Sequence, residues 1–523
     1  MRRHGRVTTA FSVGCAALAL LTGCAPWLAA DPQFATDSAR NPGSGPVSSA
    51  TTADGPSEWL APKNDLAWRD CTAKVFGASG TKPVSGVSLD CANYDADLDP
   101  VGGATGTIAI GVVRARSAKT PADAGPLVFT TGTDLPSSLV LPVWLARSGA
   151  DVLKDRPIVA VDRRGMGMSS PIDCRDSFDR KEMREQAQFE GGTDPVAALG
   201  TITTIATTSC TDAIAPGGSA YDNARAAEDL ERLRSTWDVP RLGLIGVGNG
   251  AQVALAYAGS HPEKVARLAL DSPIAPGVGA EAAAEDQVKA QQAALEAFAG
   301  QCVAAGCALG PNPKGAIDGL FAAARAGRGP GGLSVAVLAN AIITALGYPT
   351  GDRMASTMRL ADALANARTG DTNLLNSLVN QAEAARDSDG QFVNNCSDSL
   401  NRPTPDRVRE LVVAWGKLYP QFGTVGALNL VKCLNWPSGA APKDPKTLKI
   451  DVLLLGVAND PIVGPQGVPA TAATVINASA TSRRVMWQGI GHGASIYSPC
   501  AMPPLLEYLD TGKVPSTDTF CPA

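Results

Sequence analysis

The chain holds 523 residues, with 45 Lys and Arg against 50 Asp and Glu and a formal net charge of −5; that balance lacks the basic footprint of a nucleic-acid binder, and none is expected as a partner. With 45% hydrophobic residues it can bury a sizeable core, and its length exceeds what one simple core accommodates, so a domain carrying a large insertion is expected. Three histidines and no Cys-x-x-Cys pair argue against a zinc site, and neither a metal nor another cofactor is expected.

Arg2, Arg3 and Arg6 precede an apolar stretch from Ala10 to Leu21, too short to cross a bilayer and of the length and polarity of a signal-peptide core. It ends in Leu21-Thr22-Gly23-Cys24, which resembles a bacterial lipobox. Residues 1–23 therefore read as a lipoprotein signal peptide, with Cys24 the lipidation site and the anchor to a membrane on the outer face of the cell; plain secretion is the alternative. Residues 24–58, rich in Ala, Pro, Ser, Thr, Gly and Asp without apolar period, read as a flexible tether. Setting aside Cys15 and Cys24, ten of the twelve cysteines remain: Cys71, Cys91, Cys174, Cys210, Cys302, Cys307, Cys396, Cys433, Cys500 and Cys521. An even number in an exported chain points to disulfides. Spacing leaves their connectivity open; pairing neighbours in order is the arrangement expected.

Short β-branched runs alternate with helical stretches from residue 105 onward: Thr107 to Val113, Pro126 to Thr130, Pro157 to Val161, Leu242 to Ile245 and Arg267 to Leu270. Continuous apolar strands of this kind predict a mainly parallel sheet covered on both faces. After Pro273 the texture becomes Ala-rich and helical, with helices predicted over Glu281 to Phe298, Arg353 to Ala367, Asn373 to Ala385 and Thr404 to Leu418. Strand character returns at Lys449 to Leu455 and Arg484 to Trp487, before a closing helix at Pro503 to Leu509. The predicted organisation is a core in two parts, 59–275 and 441–523, with a helical cap, 276–440, over the strands' carboxyl ends, where open α/β sheets bind ligands. A separate helical domain is the alternative reading of the insertion.

The most informative segment is Gly246-Val247-Gly248-Asn249-Gly250. A helical stripe (Ala227, Leu230, Leu233, Trp237) ends at Pro240, a buried strand leads into the pentapeptide, and a helix restarts at Ala251. Strand, sharp turn and helix are the setting of a G-x-S-x-G nucleophile elbow, with Gly248 at the serine's place. Downstream, one strand runs into Asn459-Asp460-Pro461 and the next into Gly491-His492-Gly493, so nucleophile position, acid and base follow in the order of an α/β-hydrolase triad. His261 lies in Ser260-His261-Pro262-Glu263 and reads as a solvent-facing residue at a helix end.

These pieces, together with Asp162-Arg163-Arg164-Gly165-Met166-Gly167-Met168-Ser169, Cys396-Ser397-Asp398 and Cys433-Leu434-Asn435-Trp436-Pro437, resemble the secreted tripeptidyl-aminopeptidase-like α/β-hydrolases of actinobacteria. The resemblance spans roughly residue 60 to the end. It implies an α/β-hydrolase fold with a large helical cap, and an exported serine exopeptidase acting on short peptides or related amides and esters. The chain departs from the pattern twice. Gly248 replaces the serine, and the oxyanion loop, typically G-G-P-G, reads Thr130-Thr131-Gly132-Thr133-Asp134. The oxyanion-donor candidates are the backbone amides of Asn249, Thr131 and Gly132, with Asp134 placed to oppose an oxyanion. Three readings compete: a catalytically impaired envelope protein that binds a peptide, ester or lipid-like ligand under the cap; an active peptidase or esterase using a displaced nucleophile such as Ser137, Ser138 or Ser169; or direct activation of a water by His492, for which no carbonyl clamp is evident. Glu281, Glu285 and Asp398 are candidate partners for a peptide amine, with a solvated helix face or cap as their plainer role.

Overall fold

The computed structural model describes residues 59–523 except 219 and 438. The predicted leader, Cys24 and the tether lie outside the described residues. Ten strands form one sheet: β1 (Arg69–Asp70), β2 (Val87–Asp97), β3 (Thr107–Ser117), β4 (Leu127–Thr130), β5 (Ile158–Val161), β6 (Leu242–Val247), β7 (Val265–Asp271), β8 (Val452–Asn459), β9 (Ser482–Ile490) and β10 (Thr519–Cys521). Their order is β1-β2-β3-β5-β4-β6-β7-β8-β9-β10. The first three are antiparallel, β3 also meets β5 antiparallel, and every later pairing is parallel.

The central strands are short apolar runs because both of their faces are buried. On one face Val128, Val159, Leu244, Leu268 and Leu454 join the larger core, which continues into the helical insertion. The alternate residues Phe129, Ala160, Ile245, Ala269 and Leu453 point to the other face and pack with Trp144 and the C-terminal helix Met502–Thr511. This strict alternation along each strand is the two-residue period of an extended chain. Every predicted strand is present, most of them longer by a few residues. Three strands were not anticipated: β1, β10 and the eleven-residue β2.

Between β7 and β8 the described residues form eight α-helices, from Ala280–Ala305 to Gly423–Asn429. Thr404 caps Pro405–Leu418 by accepting the Arg407 amide, with Pro405 and Asp406 in the first turn, as its sequence implies. The helices Pro313–Arg325 and Val335–Gly347 were not anticipated. Five disulfides join neighbouring cysteines in chain order: Cys71–Cys91, Cys174–Cys210, Cys302–Cys307, Cys396–Cys433 and Cys500–Cys521. The bond between Cys396 and Cys433 closes the end of helix Asp389–Asp398 onto the short turn Leu430–Cys433, both parts of the insertion. No helix among the described residues is long and apolar enough to cross a membrane.

Candidate functional site: a hydrolase elbow occupied by a carboxylate

β6 ends at Val247 and helix Asn249–Ser260 begins two residues later, leaving Gly248 alone at the turn with φ 58° and ψ −121°. That backbone conformation is costly for a residue with a Cβ, and glycine adopts it freely. The flanking glycines are needed for contact: a Cβ on Gly246 would sit 2.3 Å from the Gly250 carbonyl, and one on Gly250 2.0 Å from the Thr130 carbonyl. The turn has therefore kept the tight strand–helix approach of an elbow.

The loops after β8 and β9 bring Asp460 and His492 to the same end of the sheet. Asp460 is buried, accepts the Ile462 and Val463 amides at 2.9 and 3.2 Å, and takes His492 Nδ1–H at 2.9 Å. The His492 loop is itself moored. Asp271, at the end of β7, accepts the Ala494 and Ser495 amides and the Ser495 hydroxyl at 2.6 to 2.9 Å, while its carbonyl accepts the Gly248 amide.

The remaining place in the triad is filled by the loop after β4. The Asp134 carboxylate accepts the Asn249 amide at 2.8 Å through Oδ2, and the same oxygen lies 3.2 Å from His492 Nε2. A Cβ built on Gly248 would stand 1.7 Å from Asp134 Oδ2 and 2.6 Å from His492 Nε2, so the carboxylate occupies the volume of a nucleophile's side chain. The loop is held by its backbone: Gln391 of the insertion donates to the Thr133 and Asp134 carbonyls at 3.1 and 3.0 Å.

Two carboxylates on opposite edges of one imidazole determine its charge. Burial by itself lowers the His492 pKa, but Asp460 and Asp134 outweigh it and raise the value to about 10. Both ring nitrogens then carry protons at neutral pH, and the imidazolium donates on both sides. An imidazole in that state has no lone pair with which to accept a nucleophile's proton. Tyr348 packs edge-on against the ring at 5.9 Å between centroids, and its buried hydroxyl has no hydrogen-bond partner among the described residues.

The three amides considered as oxyanion donors are engaged elsewhere. Asn249 N–H is bound by Asp134, Thr131 N–H donates to Ser137 Oγ at 3.0 Å, and Gly132 N–H is directed at Thr130 Oγ1 at 3.3 Å. A hole needs unoccupied donors aimed where charge develops, and this one already holds a resident anion. The alternative nucleophiles are committed too. Ser137 accepts the Thr131 amide, Ser138 donates to Asp162 at 2.7 Å, and Ser169 bridges the Asp162 carbonyl and the Gly111 amide. All three are buried in structural hydrogen bonds, which removes the reason for regarding them as free hydroxyls.

The Asp162-to-Ser169 motif is the scaffold that joins elbow and insertion. Asp162 collects the Ser138 and Met168 amides, and Arg164 pairs bidentately with Asp229 at 2.6 and 2.8 Å. Arg163 reaches Asn249 Oδ1 at 2.8 Å, Asn394 Oδ1 at 2.7 Å and Asp398 Oδ2 at 2.9 Å, tying the elbow helix to helix Asp389–Asp398. Asp398 therefore serves a buried ion pair in place of the solvated position or amine partner considered for it; burial raises its pKa to about 6 despite Arg163. Glu281 pairs with Arg407, and Glu285 with Lys289 and the Tyr419 hydroxyl. His261 is half-buried against Glu228 at 2.9 Å, a correction to the solvent-facing reading. The residues that sequence reasoning undervalued are Asp134, Arg163, Gln391 and Tyr348. Two of them carried a signal: Asp134 as the acid that ends the altered oxyanion loop, and Arg163 through its place in the Asp162-to-Ser169 motif.

A cavity of about 440 Å³ opens beside this cluster, lined by the core loops and the insertion, with Asp134, Asn249 and Tyr348 at one side and Lys432 among its other walls. No group of acids, cysteines and histidines among the described residues is arranged to hold a metal ion.

The family described as "TAP-like protein" matches residues 419–521, and that described as "alpha/beta hydrolase fold" matches residues 135–312. Serine protease Hip1 of Mycobacterium tuberculosis and of Mycobacterium bovis is 28% identical over 164 residues, 31% of this chain and 32% of the relative. The chain thus matches about a third of those relatives' length. Among solved structures, esterase E22 covers 80% of the chain and 98% of its own at 11% identity and a TM-score of 0.42; a thermophilic esterase from Thermogutta terrifontis covers 80% and 99% at 15% identity and 0.36. With its mostly parallel sheet, its elbow and both family matches in chain order, this chain has the α/β-hydrolase fold, and its residues 419–521 are similar to the TAP-like proteins.

Proposed function

We propose that this protein is an exported, lipid-anchored envelope protein that keeps the frame of a serine exopeptidase and binds a ligand under its helical insertion without hydrolysing it. The observation that carries the reading is Asp134 Oδ2, which stands where a serine side chain would be and takes both the amide of Asn249 and the proton of His492. Nucleophile position, oxyanion donor and general base are thereby consumed by one internal carboxylate. In hydrolases stripped of the nucleophile, binding and the oxyanion hole alone leave on the order of 10³ to 10⁴-fold over water. With the hole filled as well, less than that is expected here.

The test is labelling of the purified mature protein by a fluorophosphonate probe, with aminoacyl and short-acyl chromogenic substrates in parallel. Natural protein and Gly248→Ser should both stay unlabelled, because the new hydroxyl and Asp134 compete for one volume. Gly248→Ser combined with Asp134→Gly should label, and His492→Ala should abolish that labelling. Labelling of the natural protein that disappears on His492→Ala would overturn the reading. For the anchor, incorporation of a fatty-acid label in cells should be lost in Cys24→Ser; equal incorporation in both would refute lipidation at that residue.

A further inference from the structure

The cavity beside the blocked elbow is lined by two cations that no carboxylate touches among the described residues. Arg386 ends helix Asn373–Arg386, and Lys432 lies in the turn Leu430–Cys433; both line the cavity. Neither has an ion-pair or side-chain hydrogen-bond partner among the described residues. Arg386 is close enough to act electrostatically on both Tyr348 and Lys432.

The surrounding carboxylates are already committed. Asp387 is held by Arg184 at 2.8 Å and Arg175 at 3.4 Å, and Asp389 by Arg175 at 2.7 Å and Arg180 at 2.8 Å. Asp398 belongs to Arg163, and Asp134 to the His492 imidazolium. At the mouth Lys443 and Asp444 are exposed and of opposite sign. Apart from the exposed Lys443, Lys432 and Arg386 are the cavity-lining cations without an ion pair among the described residues, and both are half-buried. A cation partly withdrawn from water without a direct counterion is disfavoured. Burial pushes the Lys432 ammonium down to about 8; the charge of Asp387 opposes this, and those of Arg175, Arg386 and Arg184 add to it.

We propose that this wall is an anion-binding subsite in which Lys432 and Arg386 receive the carboxylate or phosphate head of an organic anion, its apolar body lying along Ile274, Leu430 and Ile462. The proposal rests on the non-catalytic reading above and gives its ligand a chemical class. About 440 Å³ falls within the range of small-molecule sites. A free peptide amine is the opposite of what these charges select.

The test is calorimetric titration of the mature protein with decanoate, decyl phosphate, decanol and decylammonium below their aggregation concentrations. Both anions should bind at least tenfold more tightly than decanol, and decylammonium should not bind; the ranking of the two anions separates a carboxylate from a phosphate source. Lys432→Met and Arg386→Met should each weaken anion binding at least tenfold while leaving the decanol affinity unchanged, which also reports that the variants are folded. If Lys432→Met does not fold, Arg386→Met and Lys432→Gln decide the matter. Decanol binding as tightly as decanoate, or anion affinity unmoved in the folded variants, would overturn the subsite. Fluorophosphonate labelling reports separately on catalysis: an inert protein indifferent to anions refutes only the subsite, and a labelled one that binds anions refutes only the non-catalytic reading.

Discussion

Asp134→Asn removes one of the two negative charges on His492 with almost no change of shape. Unit charges 3.2 Å apart at an effective dielectric of about 20 attract by about 5 kcal/mol. One pKa unit corresponds to about 1.4 kcal/mol, so the Asp134 contact has a ceiling of roughly four units. An asparagine carbonyl keeps part of the interaction as a neutral hydrogen bond, and the expected fall in the His492 pKa from about 10 is therefore roughly two units. Proton NMR titration of the imidazole carbons measures it directly, because the chain has only three histidines. His261, whose pKa is raised by its hydrogen bond to Glu228, serves as an internal reference that should not move.

The same substitution has a signature in stability. His492 has a folded pKa raised above its ordinary 6.5, so its contribution is fully present below that value and is lost as pH rises through about 10. Denaturant titrations should show the natural protein ahead of Asp134→Asn by about 3 kcal/mol near pH 6.5, the difference closing towards alkaline pH. A natural His492 that titrates near 6.5, or a variant whose His492 is not shifted, would refute the clamp and with it the claim that the base is consumed.

Three other expectations follow from separate parts of the site. Arg163→Met should destabilise by about 3 to 5 kcal/mol in urea titrations, since it leaves Asp398 buried without its cation; adding Asp398→Asn should recover part of that loss. Replacing Cys396 and Cys433 together by Ala opens a 37-residue span of the insertion, which on the chain-entropy view costs about 4 kcal/mol, read as a lower denaturant midpoint. Gln391→Ala frees the Thr133 and Asp134 carbonyls, and the His492 pKa measured by NMR should fall as the Asp134 loop loosens.

Much of the frame was legible because its signals are local. The elbow needs small residues between a strand and a helix, and the acid and the imidazole each follow an apolar run that ends in a turn. What escaped had a different texture. β2 buries Tyr94 and Ala96 and exposes the alternate Asn93, Asp95 and Asp97 as a half-exposed antiparallel strand, unlike the continuous apolar runs elsewhere. Helix Pro195–Ala213 is rich in Thr, a residue of poor helix propensity, and depends on its packed face. The contacts that define the site are longer still in reach: Asp134 and His492 are 358 positions apart, and Arg163 and Asp398 235. No periodicity within either segment reports that their side chains meet.

The two departures from the family pattern therefore act as one. With glycine at 248 the elbow keeps its sharp turn and leaves a space the size of a small side chain beside an amide donor and an imidazole. An empty space there would leave both groups without these partners, at a cost of about 1 to 3 kcal/mol for each donor left buried and unpaired. Asp134 fills it and satisfies both. Restoring a side chain at 248 alone would drive the carboxylate out of contact at 1.7 Å, and removing the carboxylate alone would leave the Asn249 amide and His492 unpaired. Each change is disfavoured without the other. On the proposed non-catalytic reading, a return to hydrolysis requires both at once, and the carboxylate at 134 is as much a part of that reading as the glycine at 248.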